Sequence, residues 1–300
     1  MPSQQYEALG YNEVNLETLI QIPYRTAVLL KIFVTDLFPF VTESFEYPEL
    51  WILFAATAFG IYSALSNIDL KIQVSWKMLA WGIIIFFAGA FPYLMVNKYP
   101  TYIDYMSRHQ LLIGFGASLS FCALIFLLKS PLAKRVLLSG SIAAFICLNV
   151  FIQFSFFKGY VKQEVFRDYF AAEDLSSQSS QTILLEDATL DFTQKGNPVK
   201  FYAFAGMLKQ KNEKENIVII PEEILNKFIA IDLFSMIEPY SYQYNLSDYK
   251  YTEPDQRLVV KYSEEEKPLF PIFTYYGQFF SGNKSEWNKY FDFQLKPLEE

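Results

Sequence analysis

Four long apolar stretches constrain what this chain can fold into more than any other feature of its sequence. They cover residues 50–68, 78–96, 111–128 and 136–157, and none of them contains Lys, Arg, Asp or Glu. A helix needs about 20 consecutive apolar residues to cross the hydrocarbon core of a bilayer. A charged side chain at the centre of such a helix carries a large free-energy cost. The sequence therefore predicts four transmembrane helices.

The segment ahead of these spans, residues 1–48, has a different character. Residues 18–41 are apolar in patches but include Arg25, Lys31 and Asp36, with a proline near each end. This pattern favours an interfacial or partly embedded helix, and a spanning helix is the alternative. Residues 1–12 have neither the basic nor the apolar region of a secretory signal. Insertion is therefore expected to rely on the spans themselves.

Lysine and arginine in the short loops predict the orientation of the spans. The turn at 129–135 carries three basic residues and no acid, which is the strongest signal for the cytoplasmic side. Alternation then places 69–77 inside and 97–110 outside, with five basic residues inside against two outside. The C-terminal region is predicted to lie on the periplasmic, luminal or extracellular side.

The region at 158–300 differs in composition from the part before it. It carries 16 Lys and Arg against 23 Asp and Glu, whereas residues 1–157 carry nine of each, so it holds the whole formal net charge of −7. Its first residues form an apolar stripe with helical spacing, which predicts an amphipathic continuation of the last span. The polar positions between the members of the stripe are assigned to Lys162, Glu164, Arg167 and Asp168. The stripe consists of Val161, Val165, Phe166, Tyr169 and Phe170.

Strand and helix patterns alternate beyond a Ser/Gln linker at 176–181. Strand-type runs lie at 182–185, 216–220 and 257–262, and helical patterns lie at 201–210 and 221–237. Alternation of this kind indicates a small α/β unit. The predicted fold is therefore an α-helical multi-pass membrane bundle (spans at 50–68, 78–96, 111–128 and 136–157) followed by a small exported α/β domain at 158–300.

The rarity of histidine and cysteine limits the chemistry of the chain. His109 is the one histidine, and Cys122 and Cys147 both fall inside apolar runs, where cysteine acts as a small hydrophobic residue. We therefore predict no metal site and no cofactor. The acidic balance offers no cationic stripe for phosphates, so no nucleic-acid partner is expected. The sequence also lacks a Gly-rich phosphate loop and a nucleophile elbow, which disfavours soluble hydrolase or kinase chemistry.

The predicted outer loop at 97–110 contains a polar cluster next to the third span. Lys98, Arg108 and His109 lie there with three tyrosines that suit an interfacial aromatic belt. An arginine fork can bind a lipid phosphate or diphosphate, and a histidine can donate or accept a proton. Simple anchoring of the helix in the bilayer is the favoured interpretation. Binding of a lipid headgroup by these three residues is the hypothesis kept beside it.

Small residues in the spans predict close helix packing. Gly114 with Ser118, and Gly140 with Ala144, are spaced four apart, which lets helix backbones approach closely in lipid. Ordinary membrane-helix composition is the alternative. Gly114 and Gly116 are also expected to leave room for a lipid headgroup beside the backbone.

Two adjacent carboxylates form the candidate acidic site. Glu186 and Asp187 follow the first strand-type run, and ligand sites in open α/β sheets favour the carboxyl ends of strands. Adjacent strand residues point to opposite faces, so both reach one substrate atom only if a turn intervenes. A solvated edge is the favoured alternative.

Two short segments carry a resemblance to a known class of membrane protein. The sequence Ser-Arg-His-Gln-Leu-Leu at 107–112 opens a span, and Phe-Tyr-Ala-Phe-Ala-Gly-Met-Leu-Lys at 201–209 follows the strand ending in Glu186 and Asp187. Together they resemble, over roughly 80–220, the C-terminal half of polytopic membrane proteins loosely similar to GT-C type glycosyltransferases. The resemblance implies a component of envelope or glycan assembly that handles a lipid-linked sugar.

The resemblance leaves one alternative function open. Enzymes of the GT-C type place acidic catalytic residues in the first outer loop after an N-terminal span, and this chain has no clear counterpart of either. The alternative is a non-catalytic accessory or scaffold subunit of a larger membrane complex. In both cases the expected partners are membrane lipids and other membrane protein subunits.

Overall fold

The computed structural model describes residues 20–69, 76–95, 111–173, 181–192, 199, 201–211, 217–222, 224–225, 251–264 and 268–298. The chain divides into two compact units, Met1–Ile152 and Gln153–Glu300. The first unit contains apolar helices, and the second contains a four-stranded sheet.

Among the residues that the structure describes, five helices begin in the first unit. They are α1 (Ile22–Ser44), α2 (Pro48–Ser66), α3 (Trp76–Met95), α4 (Leu111–Leu127) and α5 (Pro131–Ala172), and the last of them continues into the second unit. In the part of the chain that the structure describes, three helices are long and apolar enough to cross a membrane, namely α2, α3 and α5. The third predicted span, 111–128, corresponds to α4, which is shorter at 17 residues.

Helix α1 occupies most of the segment predicted to be interfacial. Its proline near the start suits a first helical turn, where the missing N–H has no partner to lose. Arg25 is 8 % exposed, and its guanidinium donates hydrogen bonds to the Leu94 carbonyl (2.8 Å) and to Gln21 Oε1 (3.0 Å). The last carbonyls of a helix have no intrahelical donor, so Arg25 satisfies one at the end of α3.

Among the described helices of the first unit, α3 and α4 form the most extensive pair. Their backbones approach at Gly116, where an added Cβ would lie 2.2 Å from the Phe86 backbone nitrogen, and at Gly82, where it would lie 2.5 Å from Ser120 Oγ. Only glycine permits such an approach because any side chain would collide with backbone atoms of the facing helix.

Neither of the two small-residue pairs lies at a crossing between the described helices, which agrees with the alternative of ordinary membrane-helix composition. A Cβ added at Gly114 or at Gly140 meets no atom of the described residues within 4 Å. The close crossing instead uses Gly116, two residues further along the same helix. The space at Gly116 expected to admit a lipid headgroup is therefore filled by α3.

The second unit is built on a mixed sheet with the strand order β2-β1-β3-β4. The strands are β1 (Thr182–Asp187), β2 (Val218–Pro221), β3 (Gln256–Tyr262) and β4 (Phe291–Pro297). Strand β1 pairs in parallel with both β2 and β3, and β4 pairs antiparallel with β3. The parallel strands bring their carboxyl ends to one edge of the sheet. Helices α6 (Phe201–Lys211) and α7 (Pro271–Phe280) follow β1 and β3 in the chain.

The core of this unit joins the end of α5 to the sheet. Phe166 and Phe170 of α5 pack with Phe204 of α6 and with strand residues that include Ile183 and Val260. Three members of the predicted apolar stripe, Phe166, Tyr169 and Phe170, therefore pack in the core that includes the sheet, and the other two, Val161 and Val165, are buried as well. Burial of several large aromatic side chains at one place is a major source of stability for a unit of this size.

Over its described residues, the chain is thus mostly helical, with three candidate membrane-spanning helices and a small C-terminal mixed sheet. Strands β1, β2 and β3 lie where strand patterns were predicted. The helix predicted at 221–237 lies almost wholly outside the described residues. Helix α7 and strand β4 were not predicted.

Candidate functional site

The predicted site residues fall into two groups. Lys98, Arg108 and His109 lie outside the residues that the structure describes. Glu186 and Asp187 are described and end strand β1, at the edge where the carboxyl ends of the parallel strands meet.

Asp187 lies in a buried hydrogen-bond network with a lysine of α5. Its Oδ2 accepts a hydrogen bond from Lys162 Nζ at 2.6 Å, and its Oδ1 accepts from the backbone N–H (2.9 Å) and the hydroxyl (2.7 Å) of Thr189. Lys162 also donates to the Thr189 carbonyl at 3.0 Å. The Lys162 and Asp187 side chains are only 1 % and 6 % exposed. This network ties α5 to the carboxyl end of β1.

Burial dominates the electrostatics of this ion pair. Burial lowers the pKa of Lys162 below its ordinary value of 10.5, and the carboxylates of Asp187 and Asp191 oppose that shift. A desolvated ammonium is tolerated only where a close carboxylate and further acceptors compensate it. Asp187 and the Thr189 carbonyl supply that compensation for Lys162.

A second polar pair joins the end of β3 to the short 3-10 turn that follows β1 (Leu190–Phe192). Tyr262, the last residue of β3, donates a hydrogen bond from its hydroxyl to Asp191 Oδ1 at 2.6 Å. The pKa of Tyr262 is raised, mainly because the side chain is partly buried and secondly because its hydroxyl donates the hydrogen bond to Asp191. The phenol therefore stays protonated at neutral pH and serves as a hydrogen-bond donor rather than as a base.

Glu186 points to the opposite side of β1 and lies on the surface. It pairs with Arg257 Nη1 at 3.2 Å, and the same guanidinium lies 3.5 Å from Glu222. The Glu186 side chain is 49 % exposed. Exposed ion pairs of this kind contribute little to stability.

The two carboxylates therefore do not converge on one substrate position. Asp187 is enclosed by its own partners, and Glu186 faces solvent on the other side of the strand. Among the described residues, no group of three or more His, Cys, Asp or Glu side chains is arranged to hold a metal ion. The geometry suits a structural clamp between helix and sheet.

Sequence reasoning missed Lys162. It was assigned to the polar positions between members of the apolar stripe, and this assignment is wrong because the residue is buried. The spacing Lys162, Phe166, Phe170 is four residues at each step, which places the lysine on the covered face of the helix. This spacing could have placed Lys162 on the covered face of the helix. Its pairing with Asp187 can be identified only in the folded structure.

Comparison with protein-family models, curated proteins and solved structures finds no match for this sequence.

Proposed function

We propose that this chain is an integral membrane protein that carries a small α/β domain on a membrane-spanning helix and acts as a non-catalytic accessory or scaffold subunit of a membrane complex. The observation that carries the proposal is the continuous helix α5, whose second half is part of the core of the domain.

The length of α5 supports this proposal. Its 42 residues extend about 63 Å at the rise of an α-helix, which is about twice the thickness of a hydrocarbon core. The charge-free run at 136–157 accounts for about 33 Å of that length. Residues 158–172 carry the apolar stripe, whose Phe166 and Phe170 belong to the core of the domain, so one helix serves both as span and as part of the domain core.

The hydrogen-bond partners and the exposure of Glu186 and Asp187 favour a scaffold over an enzyme. Catalytic carboxylates are usually placed in clefts where a substrate reaches them. Asp187 is instead buried and accepts three hydrogen bonds from Lys162 and Thr189, and Glu186 pairs with Arg257 on the surface.

The membrane topology is tested by labelling single cysteines with an impermeant thiol reagent in intact cells. The native Cys122 and Cys147 are first replaced. We expect a cysteine at Ser130, in the basic turn, to be shielded, and one at Asn283, which is exposed, to be labelled. Labelling of Ser130 with protection of Asn283 would reverse the orientation.

The scaffold role is tested by photo-crosslinking in native membranes. A crosslinker at Gln294, exposed on β4, is expected to give a protein adduct of defined mass. The matched position is Ile142, which lies in the span of α5 and is 41 % exposed. Absence of any protein adduct at Gln294, together with a monomeric mass by light scattering in nanodiscs, would remove the scaffold proposal.

A second candidate function is the handling of a lipid-linked substrate in envelope or glycan assembly. It rests on the resemblance carried by 107–112 and 201–209 and on the presence of Lys98, Arg108 and His109 in the tyrosine-rich sequence at 97–110. If Arg108 binds a phosphate through its fork, Arg108→Lys should lower the lipid that copurifies with the protein nearly as much as Arg108→Ala. Equal lipid content in the wild type and both variants would leave only anchoring.

A further inference from the structure

Helix α7 (Pro271–Phe280) exposes an apolar face to its surroundings. Phe270, Phe273, Gly277 and Phe280 recur at steps of three or four residues, so they share one side of the helix. The side chains of Phe270, Phe273 and Phe280 are 39 %, 59 % and 80 % exposed, and the preceding Leu269 is 76 % exposed. The helix contains no charged residue. A soluble domain normally covers such a surface or makes it polar.

The opposite face of α7 packs on α5 at Phe154 and Phe157, just after the second unit begins at Gln153. Ile272 and Tyr275 are buried. The ring of Tyr276 stacks on Phe157 with centroids 4.3 Å apart, and Phe279 meets the same ring edge to face at 5.5 Å. Helix α7 is thus held against α5 by a set of aromatic contacts, which also includes the fully buried Trp287.

The position of this contact along α5 indicates what lies next to the exposed face. Phe154 and Phe157 close the charge-free run at 136–157, and Lys158 is the first charged residue after it. Tyr275 and Tyr276 both lie within 6.3 Å of the Phe154 ring. If α5 spans the bilayer, α7 therefore lies where the helix leaves the hydrocarbon.

The cations around α7 match the headgroup region. Lys284 donates a hydrogen bond to the Tyr160 hydroxyl at 2.8 Å and lies 5.1 Å from the centre of the Phe279 ring. Lys158 lies 5.8 Å from the centre of the Phe154 ring. Lysine, tyrosine and tryptophan gathered at the end of a span are typical of a membrane–water interface, where lysines reach the phosphates.

We propose that α7 is an interfacial helix that buries Leu269, Phe270, Phe273 and Phe280 in the bilayer at the boundary between headgroups and acyl chains. The occupant of the apolar face is thus the lipid surface, and the helix fixes the domain to the membrane beside its own span. This inference rests on the proposed function because it requires α5 to cross the bilayer.

The test uses the full chain, with both native cysteines replaced, in vesicles of phosphatidylcholine and phosphatidylglycerol. A nitroxide is attached in turn at Phe273, Phe280, Gln294 and Ile142, and its collisions with oxygen and with a polar nickel chelate are measured. Gln294 is the aqueous control on the same domain, and Ile142 is the control inside the span. All four side chains are exposed, so labelling leaves the core intact.

We expect the labels at Phe273 and Phe280 to collide with oxygen severalfold more than with the nickel chelate, relative to Gln294, and to lie about 5–10 Å into the interface. Aqueous behaviour at both positions, with a lipid signal at Ile142, would overturn the inference and leave the proposed function standing. Shielding from both reagents would overturn it in favour of a protein partner or a second copy. An aqueous signal at Ile142 would refute the proposed function and the inference with it.

Discussion

Removal of either member of the Lys162–Asp187 pair should destabilise the second unit strongly. The pair lies within 2.6 Å, and both side chains are almost fully buried. Breaking such a pair leaves one desolvated charge without its counter-ion, which costs about 3–5 kcal/mol. We expect losses of this size in the free energy of unfolding for Lys162→Met and for Asp187→Asn.

The double variant separates the ion pair from the packing around it. Asparagine at position 187 can still accept the two hydrogen bonds from Thr189, and the Thr189 carbonyl still accepts from the backbone N–H of Phe192. Methionine replaces the lysine stem with an apolar one of similar length. Removing both charges should therefore cost less than removing either one, because buried ion pairs often exchange for apolar groups at little cost.

Glu186→Gln is the matched control on the same strand. Glu186 is half exposed in its pair with Arg257, so its substitution should change the free energy of unfolding by less than about 1 kcal/mol. The contrast between two neighbouring carboxylates then depends on burial and not on position in the chain.

Urea unfolding of the full chain in detergent, followed by Trp287 fluorescence, provides the assay. Trp287 is fully buried in the second unit, and the exposed Trp51, Trp76 and Trp81 are replaced by phenylalanine to leave one reporter. Losses below about 1 kcal/mol for both single variants, or additive losses in the double variant, would refute the assignment of a buried coupled pair.

The same variants predict a pH dependence with a definite sign. The folded chain releases the Lys162 proton at lower pH than the unfolded chain, whose lysine titrates near 10.5. In the window between the lowered pKa and 10.5, the unfolded state binds more protons, so the contribution of this group to stability rises with pH. The wild type should gain stability relative to Lys162→Met across that window, and a constant difference would contradict the lowered pKa.

Three further outcomes test other parts of the structure. Gly116→Ala should destabilise the α3–α4 pair by about 1–3 kcal/mol because its Cβ meets backbone, whereas Gly114→Ala should not; equal melting temperatures in detergent would contradict the crossing. Burial raises the pKa of Tyr169 to about 12, so stability that this group contributes below pH 10 is lost as pH rises through 12; a Tyr169→Phe difference titration of phenolate absorbance showing ionisation near 10 would disprove it. Arg25→Met should cost about 1.5–3 kcal/mol through its hydrogen bond to Leu94, and unchanged thermal stability would exclude that role.

The elements that sequence reasoning located are those defined by local pattern. A long run without charged residues can be recognised in the sequence alone, and so can an apolar stripe at helical spacing. For this reason the predicted and observed helices agree for α2, α3 and the end of α5. Helix α7 was missed because it is only ten residues long and half of its residues are aromatic, a residue type that is enriched in strands.

The buried ion pair and the position of the helix crossing could not be predicted, because each depends on contacts between segments that are distant in the sequence. Lys162 and Asp187 lie 25 residues apart, and no local rule joins a helix lysine to a strand carboxylate. The choice between Gly114 and Gly116 is likewise set by α3, because only the facing helix determines which small residue lies at the crossing. Residue spacing identifies the small residues that could lie at a helix crossing, and the facing helix determines which of them does.

Because α5 contributes both a span and part of the domain core, its two parts become able to fold at different times during translation. The ribosome completes Phe166 and Phe170 long before β3 and β4, and the interval of some 125 residues between α5 and the end of β4 takes on the order of ten seconds at cellular rates of translation. During that interval the span can insert, but the apolar surface beyond it has no sheet to cover it. Nascent chains stalled before β3 should therefore recruit holdase chaperones at the membrane, and chains released after β4 should not.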